Sequence, residues 1–75
     1  MGRLRPLPFR EIKRRLESAG FVEHSQKGSH VKFVRSTDEA IDVAIVPRKR
    51  EVPASALRSI LNQAHLSPDE WEELG

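Results

Sequence analysis

Residues 27–46, KGSHVKFVRSTDEAIDVAIV, decide how this chain folds. Lys27-Gly28 reads as a tight turn, because glycine accepts a positive φ at no steric cost. From Ser29 to Arg35 polar and apolar residues alternate, so Val31 and Phe33 point to one side of a strand and His30, Lys32 and Val34 to the other. Ser36-Thr37-Asp38-Glu39 is a polar turn. Ala40 to Val46 then resumes a β-branched alternation, with Ile41, Val43 and Ile45 expected on the inner face and Asp42, Ala44 and Val46 opposite the core. Pro47 ends this strand, and Arg48-Lys49-Arg50 follows as a basic loop.

Toward the N-terminus, Phe21 to Gln26 is a short, aromatic-led segment of mixed polarity, placed to pair with the strand after the turn. Before it, Phe9, Ile12, Leu16 and Ala19 recur at spacings of three and four, which puts them on one helix face, with Arg10, Lys13, Arg14 and Glu17 on the other sides. Gly20 can take the left-handed cap position, and Pro6 and Pro8 hold the preceding chain extended. Toward the C-terminus, Pro53 suits a helix start, and Leu57, Ile60, Leu61 and Ala64 supply a second apolar stripe, with Arg58 and Gln63 on its polar side. Ser67-Pro68-Asp69-Glu70 is a capping-box start for a short acidic helix carrying Trp71 and Leu74. The expected architecture is α+β: a single domain over residues 1–75, in the order α-β-β-β-α with a short extra C-terminal helix. Three antiparallel strands have one face to cover, and both longer helices cover it. The other face, with His30 and Lys32, is left open to solvent or to a partner.

Composition narrows the chemistry. With 75 residues and no cysteine there is no disulfide framework, no thiol nucleophile and no zinc-finger ligand set. The longest apolar run, Val43 to Val46, is far short of the roughly 20 residues that cross a bilayer. Met1-Gly2 is followed by Pro6 where a myristoylation signal needs Ser or Thr, so the expected setting is cytoplasmic, without a membrane. Charge is lopsided: residues 1–35 carry a balance of +6 and residues 36–75 a balance of −4. A basic surface of that kind suits a polyanion, nucleic acid above all.

His30 and Lys32 share a face because they are two residues apart on a strand. An imidazole, with a reference pKa of about 6.5, gives or takes a proton near neutrality, and an ammonium beside it stabilises charge building on phosphorus. Gly28 lets a backbone approach a phosphate, and Ser29 offers a hydroxyl donor. The same residues also make an ordinary turn and an exposed strand. His24, across the hairpin, is the candidate for a second acid or base, subject to register. His65, at the end of the second helix, reads as structural. The three histidines form no zinc spacing, and Asp38, Glu39 and Asp42 read as turn and solvent-face residues, so no metal or cofactor is expected. Arg48, Lys49 and Arg50 of the basic loop, together with Arg10, Arg14 and Arg15 of the first helix, are candidate phosphate contacts.

The combination resembles a known family. Gly20-Phe21 at a helix end, Gln26-Lys27-Gly28-Ser29-His30 before an apolar strand, Val46-Pro47, and Leu57-Arg58-Ser59-Ile60-Leu61 with Gln63-Ala64 and Leu66-Ser67 are similar to the HicA toxins of type II toxin–antitoxin systems. The resemblance covers residues 7 to about 70. It implies a fold like the double-stranded-RNA-binding domain, metal-independent endoribonuclease activity on messenger RNA, and inhibition by a HicB-type antitoxin. It makes His30 the residue needed for cleavage. Lys27, Gly28, Ser29, Lys32, Arg48 and Lys49, read from their own chemistry and position, are the residues expected to hold RNA. His65 stands where the family usually has a helix-ending glycine. A module that binds structured RNA without cutting it is the alternative, and a protein-interaction domain using the open sheet face is a third.

Overall fold

Pro8 has φ −73° and ψ 154° and leads directly into α1 (Phe9–Ser18), whose first turn it starts without a side-chain cap. The computed structural model describes residues 4–75, so Met1-Gly2 of the lipidation reading lies outside them. Phe9, Ile12 and Leu16 are buried on one face of α1, as their spacing requires, and Ala19 is half-buried. Gly20 takes φ 100°, and the amides of Gly20 and Phe21 donate to Glu17 O and Leu16 O at 3.0 and 2.9 Å. Both bonds belong to a Schellman ending, which turns the chain straight into the sheet.

The strands β1 (Val22–Lys27), β2 (His30–Ser36) and β3 (Ile41–Pro47) form an antiparallel sheet in the order β1-β2-β3. Gly28 takes φ 60° in the β1–β2 turn. A bulge interrupts the β1–β2 pairing: Glu23 faces Phe33 and Ser25 faces Lys32, with His24 between them unmatched. After β3, residues Leu7 and Val52 form a two-way bridge, Leu7 N to Val52 O at 3.1 Å and Val52 N to Leu7 O at 2.7 Å, tying the extended N-terminal segment beside the approach to α2 (Ala54–Ala64). The order α-β-β-β-α plus α3 (Pro68–Glu73) is the expected one.

The phase of β3 is the reverse of the expectation. Register pairs Val31 with Val46, Phe33 with Ala44 and Arg35 with Asp42, and directly opposed residues share a face. Val31, Phe33, Ala44 and Val46 are therefore completely buried under the helices, Asp42 is buried beside them, and Ile41 and Ile45 are 67% and 38% exposed on the open side. Both phases of this strand are apolar, so the pairing with β2 decides, and a slip of one residue exchanges the two faces. α2 covers this region with Leu57, Ile60, Leu61 and Ala64, all buried, and a methyl at Ala44 leaves the helix room to approach.

α3 begins as its sequence requires. Ser67 Oγ accepts from Glu70 N at 3.1 Å and Glu70 Oε1 accepts from Ser67 N at 2.8 Å, which also holds the Glu70 carboxyl below its ordinary pKa. This cap carries Trp71 into the core, where it is 2% exposed. Ser67→Ala should cost about 1 kcal/mol and lower the thermal midpoint by roughly 4–8 °C in a calorimetric scan. Arg15, a candidate phosphate contact from sequence, is instead buried: Nη1 donates to Trp71 O at 3.2 Å, Nε donates to Glu11 Oε2 at 2.9 Å, and the guanidinium lies 5.1 Å from the Trp71 ring centre. Arg14 also binds Glu11, at 3.0 and 2.6 Å. These hydrogen bonds, from Arg14 first and then Arg15, lower the Glu11 pKa to about 2. A carboxylate whose pKa falls on folding stabilises the fold above its unfolded value, and that stabilisation disappears as pH drops through the folded value. The midpoint should therefore decline between about pH 4.5 and about pH 2, and Glu11→Gln should flatten that part of the profile. Among the described residues no helix is long and apolar enough to cross a membrane.

Candidate functional site

The sheet face turned away from the helices is built in cross-strand rows. Lys27, His30 and Pro47 form the row nearest the β1–β2 turn, Ser25, Lys32 and Ile45 the next, and Val22, Val34 and Val43 the third, with Ile41 beyond, opposite Ser36. The face therefore grades from basic at the turn end to apolar at the far end. Val22 and Ile41 are 65% and 67% exposed there.

At the basic end lies an open pocket of about 560 Å³ lined by Ser25, Lys27, Gly28, His30, Lys32 and Ile45. Strand alternation brings His30 and Lys32 to it, and the antiparallel partner of His30 brings Lys27. Gly28 contributes open space, since a Cβ built there meets nothing within 4 Å. The His30 imidazole and the Lys27 and Lys32 ammonium groups have no hydrogen-bond or ion-pair partner among the described residues. They are exposed or half-exposed and available to a ligand.

The turn that presents them is fixed from behind. Gln26 Nε2 donates to Gly28 O at 3.0 Å, Arg48 Nη2 donates to Gln26 Oε1 at 3.2 Å, and Arg48 N donates to Ser29 O at 2.6 Å. The Arg48 guanidinium also lies 4.6 Å from the Phe9 ring centre. Arg48 thus links the turn, the end of β3 and the start of α1.

The residues singled out from sequence are only partly together. Lys27, Gly28, His30 and Lys32 share the pocket. Ser29 sits in the same turn without lining it, Arg48 is engaged by Gln26 and Phe9, and Lys49 lines a neighbouring pocket with Arg10 and Arg50. His24 occupies the bulge, its Nδ1 3.3 Å from Ser25 Oγ, outside the His30 pocket. Ser25 and Ile45 were missed, because only the register with its bulge places them opposite Lys32.

A second polar cluster lies on the helix side, where the sequence reading placed solvent. Asp42 Oδ2 accepts from Arg35 Nε and Nη2 at 3.2 and 2.8 Å, and Asp42 Oδ1 accepts from His65 Nδ1 at 2.6 Å. The Arg35 bonds, then the His65 bond, hold the Asp42 carboxyl below its ordinary range, so the ring nitrogen carries the proton in that contact. Arg35 also donates to Ala19 O and Ala64 O at 3.1 and 3.2 Å and stacks 4.7 Å from the Phe21 ring centre. One guanidinium thereby satisfies carbonyls at the ends of both long helices. His65 takes φ 57° at the end of α2, the left-handed conformation that the glycine usual at this place would take freely. The structural role read for His65 holds, and the solvent-face reading of Asp42 does not.

No curated protein matches the chain. The model of the family described as the HicA toxin of bacterial toxin-antitoxin matches residues 9–66, from the first turn of α1 to the end of α2, the whole frame that holds both clusters. With that match spanning most of its length, the chain belongs to the HicA toxin family.

Proposed function

We propose that this toxin is a messenger RNA endoribonuclease whose reaction centre is the pocket of His30, Lys27 and Lys32. The observation that carries the reading is the convergence of one unpaired imidazole with two unpaired ammonium groups in a single open pocket. RNA supplies its own nucleophile. The 2′-oxygen attacks phosphorus as its proton leaves, the bond from phosphorus to the 5′-oxygen breaks, and that oxygen takes up a proton, leaving a 2′,3′-cyclic phosphate and a 5′-hydroxyl. His30 serves one of these transfers as general base or acid. The other falls to Lys32, Lys27 or water, because His24 lies outside the pocket. Lys27 and Lys32 stabilise the charge on the phosphorane, and the open surface at Gly28 admits the backbone. Among the described residues no three His, Asp or Glu side chains gather to hold a metal ion, and the reading assigns no step to one.

The antitoxin, of HicB type, covers the same sheet face. The apolar rows of Val22, Val34, Val43 and Ile41 beside the pocket give a protein partner something to bury that RNA does not need. One bound partner then masks His30 by occupancy.

The test is incubation of a mixed messenger RNA with purified protein in excess EDTA, followed by end-group analysis. Fragments with 5′-hydroxyl and 2′,3′-cyclic phosphate ends are expected. Fragments with 5′-phosphate ends would refute the transesterification. RNA binding that weakens with salt and yields no fragments at any protein concentration would leave the binding-module reading in its place.

A further inference from the structure

The basic side chains divide into those with a partner and those without. Lys13 pairs with Glu23, Arg14 and Arg15 with Glu11, and Arg35 with Asp42, while Arg48 bonds Gln26. Arg10, Lys49 and Arg50 have no such partner among the described residues, and with Pro8 and Phe9 they line a pocket of about 450 Å³. No carboxylate lines it. Glu11, next to Arg10, is taken by Arg14 and Arg15, and Glu51, next to Arg50, is not part of the lining. Three like charges facing one cavity repel one another until an anion enters. The start of α1 forms one wall and adds positive potential of the same sign.

The position of this pocket relative to His30 follows from register. Pro47 is the cross-strand partner of His30, and Lys49 is two residues further on. Paired Cα atoms lie about 5.5 Å apart and successive ones about 3.8 Å, so the Lys49 Cα is within about 13 Å of the His30 Cα. A strand with one phosphate at His30 reaches the second pocket within a few nucleotides. None of the strongly exposed apolar residues, Val22, Ile41 and Ile45, lines it. Of its lining, Phe9 is buried and Pro8 half-buried while all three cations are exposed, and a protein interface normally presents an exposed apolar centre, so the pocket favours a polyanion.

We infer that the pocket of Arg10, Lys49 and Arg50 binds a second phosphate group of the RNA strand whose cleaved bond lies at His30. The inference rests on the nuclease reading and extends it to a second site. Arg10 and Arg50 are positioning residues in this scheme, acting on how the strand is held and not on the reacting atoms.

The experiment measures binding of a labelled single-stranded 2′-O-methyl oligoribonucleotide, which lacks the nucleophile, by fluorescence anisotropy across a salt series. Arg10→Ala/Arg50→Ala is compared with Lys13→Ala/Arg58→Ala, a double variant of equal charge lining neither pocket. Each lost phosphate contact on a single strand reduces the log–log salt slope by about 0.7, so the first variant should lose about 1.4 and the second less than half as much. On cleavable RNA the first variant should raise KM several-fold and leave kcat unchanged, the pattern of lost uniform binding. Equal slope changes in both doubles would overturn the second site, as would loss of antitoxin binding with RNA binding intact. If the unmodified protein itself binds no RNA, the nuclease reading fails and the second site with it. A site that fails alone leaves cleavage by the unmodified protein in place.

Discussion

His30→Ala is expected to lower the rate of the proposed RNA cleavage by two to four orders of magnitude and to leave the thermal midpoint where it was. The size follows from what a positioned acid or base contributes, about 10²–10⁴ in rate. The selectivity follows from the site. The His30 ring is exposed, without a hydrogen-bond partner among the described residues, and on the sheet face opposite the core. Removing its ring opens no cavity and orphans no buried partner, so stability changes by no more than the ~0.5 kcal/mol usual for surface positions. Lys32→Ala is expected to give a smaller loss in kcat, since Lys27 lines the same pocket and remains to meet the phosphate. A pH–rate profile for Lys32→Ala separates its two possible tasks. An unchanged alkaline limb assigns Lys32 to charge stabilisation, and loss of that limb makes it the second proton donor. A His30→Ala variant that is folded and cuts at the unmodified rate would remove His30 from the chemistry.

The order of elements was legible because each boundary is announced by chemistry within a few residues. Gly20 ends α1, Gly28 turns β1 into β2, Pro53 opens α2, and Ser67 with Glu70 opens α3. The placement of His30 and Lys32 on one face was legible for a similar reason, since alternation along a single strand needs no knowledge of its neighbours. What failed depends on partners distant in sequence. β3 offers an apolar series in either phase, and hydrophobicity favoured the larger one, Ile41, Val43 and Ile45. Register with β2 and the close approach of α2 over Ala44 chose the other. Arg15 looked no different from Arg10 and Arg14 until Trp71 packed against it from 56 residues away. His24 was expected across the hairpin from His30, and one extra residue in the ladder removed it from the pocket.

The inverted phase of β3 also concentrates stability in one carboxylate, and Asp42→Ala is the substitution expected to damage the fold most among the polar residues. Asp42 holds Arg35 by two hydrogen bonds, and Arg35 in turn reaches Ala19 O, Ala64 O and the face of Phe21. Without the carboxylate the guanidinium stays among the helix ends with its charge unbalanced, the situation in which removal of one partner costs most. His65 loses its bond as well and keeps a left-handed backbone that a non-glycine residue adopts at some cost. The thermal midpoint should fall by roughly 10–20 °C. Asp42→Asn, which keeps the shape and one acceptor, should recover part of this, and His65→Gly should have a small net effect, because relief of the positive φ offsets the lost hydrogen bond. Acid should mimic the alanine variant: the folded carboxyl is held below its ordinary pKa, so its contribution is complete above the unfolded value and vanishes as pH falls through the folded one. A midpoint for Asp42→Ala within about 3 °C of the unmodified protein would show that Arg35 reaches the helix carbonyls equally well alone, and the helix ends would then owe their junction to Phe21 and the apolar core.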